Sequence, residues 1–186
     1  SFQYAPDYTL IYMEPFIHLH VHTQYSLLDG QASIDALIDK AYKDGMRAIA
    51  VTDHGVMFGI KEFTNYVNKK NSGPKGEIKD LKKRIAGIES GEIECEDKEA
   101  EIADCRAKMA EAESKLFKPI VGCEMYVARR TMDKKEGKPD QSGYHLIVLA
   151  KNEKGYHNLI KLVSHAWTRG YYMRPRTDRS ELEKYH

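Results

Sequence analysis

The first regular pattern along the chain is an alternation of apolar and polar positions over residues 16–22. Ile17, Leu19 and Val21 are separated by Phe16 and by three of the chain's eight histidines, in the order FIHLHVHT. Successive side chains of a strand point to opposite faces, so this alternation predicts a strand with one apolar face and one histidine-rich face.

A helix and a second strand are predicted next. Apolar residues recur at helical spacing over residues 33–44, with Ser33 placed as the N-cap and Gly45 just past the end. The segment MRAIAVTDHG is rich in β-forming residues and stops at a polar turn. Strand, helix and strand in this order predict a right-handed parallel crossover, and hence an α/β fold. Another amphipathic helix is predicted over residues 58–67.

Beyond KKNSGPKG the composition changes, and two narrow apolar stripes appear on either side of ESGEIECED. Their spacing predicts two helices, and the short linker predicts that these helices form an antiparallel hairpin inserted at residues 69–118. The first arm is rich in lysine and the second in acidic residues, so the arms complement each other in charge. Two interpretations stay open: a surface insertion and a device that binds a partner.

Strands are predicted again after the hairpin. KPIVGCEMYVA and YHLIVLA are strand-like, the intervening RRTMDKKEGKPDQSG is a polar loop, and residues 154–167 form a helical pattern. The closing stretch RGYYMRPRTDRSELEKYH shows no further strand. Four strands are too few to close a barrel, so we expect residues 14–186 to be the amino-terminal part of a domain that continues. Residues 1–13 resemble an extension or tag, with Met13 as the expected start.

Composition narrows the functional classes only a little. The 186 residues are 41% hydrophobic and 31% charged, and the net charge of +1 gives no overall attraction to nucleic acid or membrane. Cys95, Cys105 and Cys123 form no CxxC pair, which favours a reducing, cytoplasmic setting. We find neither a signal peptide nor an apolar run long enough to span a membrane.

Candidate chemistry lies at the predicted strand ends, where the loops of a parallel sheet converge. Imidazole and carboxylate side chains are suitable ligands for zinc, manganese or iron, and an H-x-H on a strand directs two rings to one side. An H-x-H alone is weak evidence, because strand histidines are also found as core residues. The candidates are His20, His22, Asp29, His54, Glu124 and His145.

His18 is expected to differ from the other two histidines of the triplet. Alternate residues of a strand are about 6.6 Å apart, so His20 and His22 can share an ion, whereas His18 and His22 lie about 13 Å apart. We therefore expect His18 to be an interior neighbour of the site.

Five short motifs occur along the chain in an order that resembles a known family. They are HLHVHTQYSLLDG, AVTDHGVMFGIKEF, KPIVGCEMYV, YHLIVLAKNEKGYHNL and RPRTDR. The chain is similar to the PHP (polymerase and histidinol phosphatase) domain, in the form found at the amino terminus of bacterial DNA polymerase III alpha subunits. The likeness covers residue 14 onward except the predicted hairpin.

The resemblance implies a distorted (β/α)7 barrel, truncated in this chain, with up to three divalent metal ions (Zn, Mn or Fe) at the strand ends. It places Asp53 as a neighbour that supports His54. The implied metal ligands are His20, His22, Asp29, His54, Glu124 and His145. The implied catalytic residues are His20, His22, His54 and Glu124.

The resemblance also implies a role in DNA replication, as part of a DNA-directed DNA polymerase, a nucleotidyltransferase. The PHP site itself is expected to be a metal-dependent phosphoesterase acting as a 3′–5′ exonuclease. Expected partners are DNA, other replicase subunits and the remainder of the polymerase chain, and no membrane. Two alternatives stay open: a catalytically silent scaffold that docks a proofreading subunit, and a stand-alone phosphatase of the histidinol-phosphatase type. Phosphate contacts are considered for Arg129, Arg130, Lys134, Lys135, Lys138, Arg169, Arg174, Arg176 and Arg179.

Overall fold

The computed structural model describes residues 16–27, 29–141 and 143–186, so the predicted prefix 1–13 lies outside the described residues. Helices and strands alternate along most of this part of the chain. The strands are β1 (Ala48–Val51), β2 (Lys118–Ala128), β3 (Gly143–Leu149) and β4 (Arg176–Thr177). The helices are α1 (Ile34–Lys43), α2 (Ile60–Lys70), α3 (Ser72–Ser90), α4 (Lys98–Ser114), α5 (Lys138–Gln141), α6 (Glu153–Thr168) and α7 (Arg179–Lys184).

The long strand β2 organises the sheet. Its first residues pair in parallel with β1, and residues 122–128 pair with β3 in the antiparallel direction. Two residues near its end, Tyr126 and Val127, pair in parallel with β4. The α/β class is confirmed, but regular parallel alternation is wrong for β3, which pairs with β2 in the antiparallel direction after a connection that contains only the one-turn helix α5. Within the described ranges the sheet does not close into a barrel.

Residues 16–22 are extended beside β1 without forming the regular strand that their alternation predicts. The backbone N–H of Ala50 donates to the carbonyl of His18 at 2.8 Å, and that of Thr52 donates to Val21 at 2.9 Å. Thr52 therefore lies two residues beyond Ala50, whereas its partner Val21 lies three residues beyond His18, as at a β-bulge. The extra residue disrupts the strict alternation, and His18 is exposed. The predicted interior position of His18 is therefore wrong.

Two clusters of buried apolar residues hold the helices against the sheet. The first joins α1, α2 and β1, and the second joins α6 to β2, which confirms the helices predicted on these stretches. Cys123 lies in the second cluster, and burial raises the pKa of its thiol to about 12. It therefore stays protonated and packs as a small apolar side chain. No helix in the described ranges has the length and apolar character needed to cross a membrane.

Helices α3 and α4 occupy the region of the two apolar stripes. Helix α3 begins at Ser72, within the KKNSGPKG segment that precedes the first apolar stripe. Pro74 is compatible with this start because it lies in the first helical turn. The arms pack along each other and are joined by an ion pair between Arg84 and Glu101, in agreement with their opposite charges. Their treatment as an insertion stays a prediction.

The side chain of Asn71, at the start of this helical pair, hydrogen-bonds to the backbone of Phe117 at its end. This side chain is buried between α2 and α3, where Nδ2 donates to the carbonyl of Phe117 at 2.7 Å and Oδ1 accepts from the Phe117 N–H at 2.9 Å. Both peptide groups of Phe117 are thereby satisfied away from water, just before β2 begins.

We expect Asn71→Ala to lower the free energy of unfolding by about 2 kcal/mol or more, because it leaves a buried N–H and a buried carbonyl without partners. Chemical denaturation followed by circular dichroism measures this change. The matched variant is Asn68→Ala at an exposed position of α2. Equal stability of the two variants would contradict the assigned role of Asn71.

The carboxyl-terminal stretch contains β4 and α7, where the sequence predicts no further strand. Arg176 is 1% exposed, and its hydrogen-bond partners in the described part of the chain are all backbone carbonyls. These belong to Gly170, Asp140, Met132 and Lys134. The guanidinium thus replaces its lost water with four carbonyl partners, and it ties the loop after β2 to the end of α6.

Candidate metal centre

Glu124 lies near the middle of β2, 3% exposed, and four imidazole rings surround its carboxylate. Its Oε1 is 2.8 Å from Nδ1 of His54 and 2.7 Å from Nδ1 of His145. Its Oε2 is 3.2 Å from Nε2 of His20 and 3.5 Å from Nε2 of His22. Among the described residues every ionic partner of Glu124 is a histidine.

The backbone carries these side chains to one place. The pairing of β1 with β2 continues past the end of β1, since the Glu124 N–H donates to Asp53 and its carbonyl accepts from Gly55. This continuation sets His54 beside Glu124. The antiparallel direction of β3 then places His145 opposite Tyr126, two residues beyond Glu124. A parallel β3 would have carried His145 to the far end of the sheet.

The hydrogen bonds of Ser26 fix the tautomer of His22. Ser26 Oγ donates its one hydrogen to Asp53 at 2.7 Å and accepts from the backbone N–H of His54 at 3.2 Å. Nδ1 of His22, 3.0 Å from this oxygen, must therefore be the donor. A neutral His22 then keeps its lone pair on Nε2, the atom that faces Glu124.

Thr52 contacts His20 in a similar way. Its hydroxyl accepts from the Val21 N–H at 3.0 Å and lies 3.2 Å from the Val21 carbonyl and 2.9 Å from Nδ1 of His20. When the Thr52 hydrogen is directed at Val21, Nδ1 of His20 is the donor and the lone pair of a neutral His20 lies on Nε2, the atom that faces Glu124.

His20, His22 and Glu124 can thus each offer one electron-rich ligand atom, and these three atoms lie within 4.8 Å of one another. Such atoms repel each other unless a proton or a cation lies between them. Two imidazole nitrogens and a buried carboxylate are a donor set that zinc, manganese and iron accept, and the hydroxyls behind the rings orient them as in metal sites. The residues present therefore fit a divalent metal ion.

His54 bridges two carboxylates and joins Asp29 to this group. Its Nε2 lies 2.7 Å from Asp29, and its Nδ1 contacts Glu124. Burial lowers the pKa of His54, but the hydrogen bonds to Asp29 and Glu124 outweigh it and raise this pKa above its ordinary value. The His54 hydrogen bond lowers the pKa of the Asp29 carboxyl. Burial, followed by the charge of His54, lowers the pKa of His22.

Asp53 organises the turn that follows His22. It is 1% exposed, and its carboxylate accepts from the Thr23 N–H at 2.6 Å, the Thr23 hydroxyl at 2.8 Å and the Ser26 hydroxyl at 2.7 Å. Its support of His54 is indirect, through Ser26. Sequence reasoning missed Ser26 and Thr52, although both lie in the words that carry the resemblance.

The structure therefore brings all six predicted site residues together around Glu124, with Asp29 reaching it through His54. The family model for the PHP domain matches residues 18–186. The chain belongs to the PHP domain family.

Known relatives identify the branch of this family. DNA polymerase III subunit alpha of Borreliella burgdorferi is 41% identical over 171 residues, which is 91% of this chain and 11% of the relative. The same subunit of Treponema pallidum is 37% identical over 88% of this chain and 10% of the relative, and that of Aquifex aeolicus is 33% identical over 91% and 11%. The chain spans about a tenth of the length of these relatives. It is a PHP domain related to the amino-terminal region of DNA polymerase III alpha subunits.

Proposed function

We propose that this domain holds divalent metal ions at the Glu124 cluster and hydrolyses phosphoesters, with the 3′ end of DNA as substrate. The observation that carries the proposal is the convergence of four imidazoles on one buried carboxylate, with the lone pair of His22 fixed on Nε2 by Ser26. A purely structural cluster would not need an imidazole lone pair directed at a carboxylate.

In this proposal His20, His22 and Glu124 hold one ion, and Asp29, His54 and His145 extend the site toward further ions. A bound divalent ion supplies a water of lowered pKa and neutralises charge on a phosphate oxygen. The protein's own contribution is orientation. Ser26 keeps the His22 ring in one tautomer, Thr52 hydrogen-bonds to the His20 ring, and the hydrogen bonds of Asp53 keep the His22 turn in place.

The alpha-subunit relatives support a setting in DNA replication. We propose that the domain is part of a DNA-directed DNA polymerase in the cytoplasm, with DNA, other replicase subunits and the remainder of the polymerase chain as its partners. A 3′–5′ exonuclease in that setting would remove a terminal nucleotide and so proofread.

The test uses a 5′-labelled single-stranded oligonucleotide with this chain and with the whole protein that carries it. We expect shortening from the 3′ end that stops with a chelator and returns with Mn²⁺ or Zn²⁺. The rate of the His20→Ala/His54→Ala variant should be lower by at least about a hundredfold. Even the loss of a residue that hydrogen-bonds to a metal ligand lowers activity about ten- to hundredfold. His157→Ala, at an exposed position of α6, is the matched control.

Two outcomes would overturn the proposal. Metal binding without hydrolysis of any phosphoester would identify a silent scaffold that supports the polymerase. Cleavage of a small phosphomonoester without cleavage of DNA would identify a phosphatase of the histidinol-phosphatase type.

A further inference from the structure

An open cavity of about 600 Å³ adjoins the metal centre. His54, His145 and Asp29 form one side of it, so whatever occupies the cavity reaches the proposed metal ions directly. Trp167 and Tyr171, from the end of α6 and the turn that follows, also line it.

Trp167 and Tyr171 form a flat aromatic platform in this cavity. Their rings stack with centroids 5.5 Å apart and planes 20° apart, and the residues are 43% and 49% exposed. The indole N–H of Trp167 donates to the carbonyl of Gly55 at 2.8 Å, which fixes the platform to the loop that carries His54. Further exposed apolar side chains line the cavity, namely Leu27, Phe58 and Met173. Grouped exposure of this kind marks an interaction site.

Arg174 supplies a positive charge beside the platform. Its guanidinium lies 4.9 Å from the ring centroid of Tyr126, and Nη1 donates to the Tyr126 hydroxyl at 2.8 Å. In the described part of the chain it forms no ion pair, so its other N–H groups are available for a phosphate. Several other basic residues considered for phosphate contact are engaged elsewhere: Arg130 with Asp140 and Glu136, Arg176 with backbone carbonyls, and Arg179 with Glu183.

We propose that this cavity binds the unpaired end of single-stranded DNA, with a base stacked on the Trp167–Tyr171 platform and a phosphate at Arg174. Aromatic platforms beside a cationic groove bind single strands, because every unpaired base offers a flat face that a duplex hides. The inference adds the residues that would hold a single strand beside the proposed phosphoesterase site, and it rests on that proposal for its role. The binding itself uses none of the metal ligands and is measured separately.

Trp167 is the one tryptophan of the chain and therefore reports on the platform directly. The protein is titrated with oligothymidylate of about eight nucleotides, within the range of single-strand sites, in a chelator so that no metal takes part. We expect the tryptophan fluorescence to be quenched. Tyr171→Ala should weaken binding about tenfold, in line with the loss of one stacking partner.

Two further variants sharpen the test. Arg174→Gln should reduce the slope of log affinity against log salt by about 0.7, the value for one contact to a single-stranded phosphate. Tyr144→Ala removes a tyrosine that is 61% exposed and lies outside the cavity, and it should bind like the wild type. Circular dichroism of each variant verifies that the fold is retained.

The inference is overturned if oligothymidylate leaves Trp167 emission unchanged, or if Tyr171→Ala binds as tightly as Tyr144→Ala. Quenching by a small phosphate ester but not by the oligonucleotide would assign the cavity to a small metabolite instead. Failure of the phosphoesterase proposal has a separate signature, since oligonucleotide binding would persist in a protein that takes up no metal.

Discussion

Glu124→Gln is expected to lower the affinity for Mn²⁺ or Zn²⁺ at least about a hundredfold. The carboxylate is buried and faces four imidazoles, so it supplies the negative charge of the site and the oxygen atoms that all four rings share. Glutamine keeps the shape of the side chain but removes the charge and replaces one acceptor oxygen with an N–H donor. Substituting a residue that hydrogen-bonds to a metal ligand already lowers metal affinity about ten- to hundredfold, and substituting a central ligand should lower it more.

Isothermal titration calorimetry of metal-free protein measures this effect. Glu113→Gln, at an exposed position of α4, makes the same chemical change far from the cluster and should leave metal affinity unaltered. If Glu124→Gln and Glu113→Gln bound metal equally well, Glu124 would be a structural residue and the proposed centre would be lost. The comparison is made in the absence of DNA, so it is independent of the aromatic platform.

Asp53→Ala is expected to lower the free energy of unfolding by about 3 kcal/mol or more. Three donors, the Thr23 N–H and the hydroxyls of Thr23 and Ser26, share this carboxylate in a buried setting. Alanine would leave them without their acceptor, and each buried donor left unpaired costs about 1–3 kcal/mol. The Ser26 hydroxyl would also be free to turn toward His22, and the tautomer of that ring would no longer be fixed.

Urea denaturation in a chelator, followed by circular dichroism, isolates this stability effect from metal binding. Asp133→Ala changes an exposed aspartate and serves as the control. A loss smaller than about 1 kcal/mol in Asp53→Ala would show that water or backbone shifts replace the carboxylate.

Local pattern was sufficient to predict the helices that pack on the sheet. Helices α1, α2 and α6 follow from apolar spacing alone, because one face of each must be buried against β1 or β2. The same reasoning fails for residues 16–22. Their alternation is real in sequence, but the extra residue relative to β1 depends on the backbone pairing between His18 and Ala50, which no periodicity reveals. The strand β4 is two residues long and carries no periodic signal at all.

The candidate site shows the same division. Its six side chains could be named from the words that resemble the family, but their geometry depends on tertiary structure. His145 meets Glu124 because β3 runs antiparallel to β2, a direction that the sequence pattern did not predict. Ser26 matters through the atom to which its hydroxyl hydrogen points, and that choice is made by Asp53.

The two hydrogen bonds between Asn71 and Phe117 bring the ends of a long chain segment together. The long excursion through α3 and α4 begins after Asn71 and ends at Phe117, and the Asn71 side chain joins these two ends. A polypeptide loop with coincident ends can be lengthened, shortened or exchanged without moving either anchor. Because Phe117 precedes the first residue of β2 and Glu124 lies further along that strand, we expect a change in the length of this excursion to leave the geometry of the cluster unaltered.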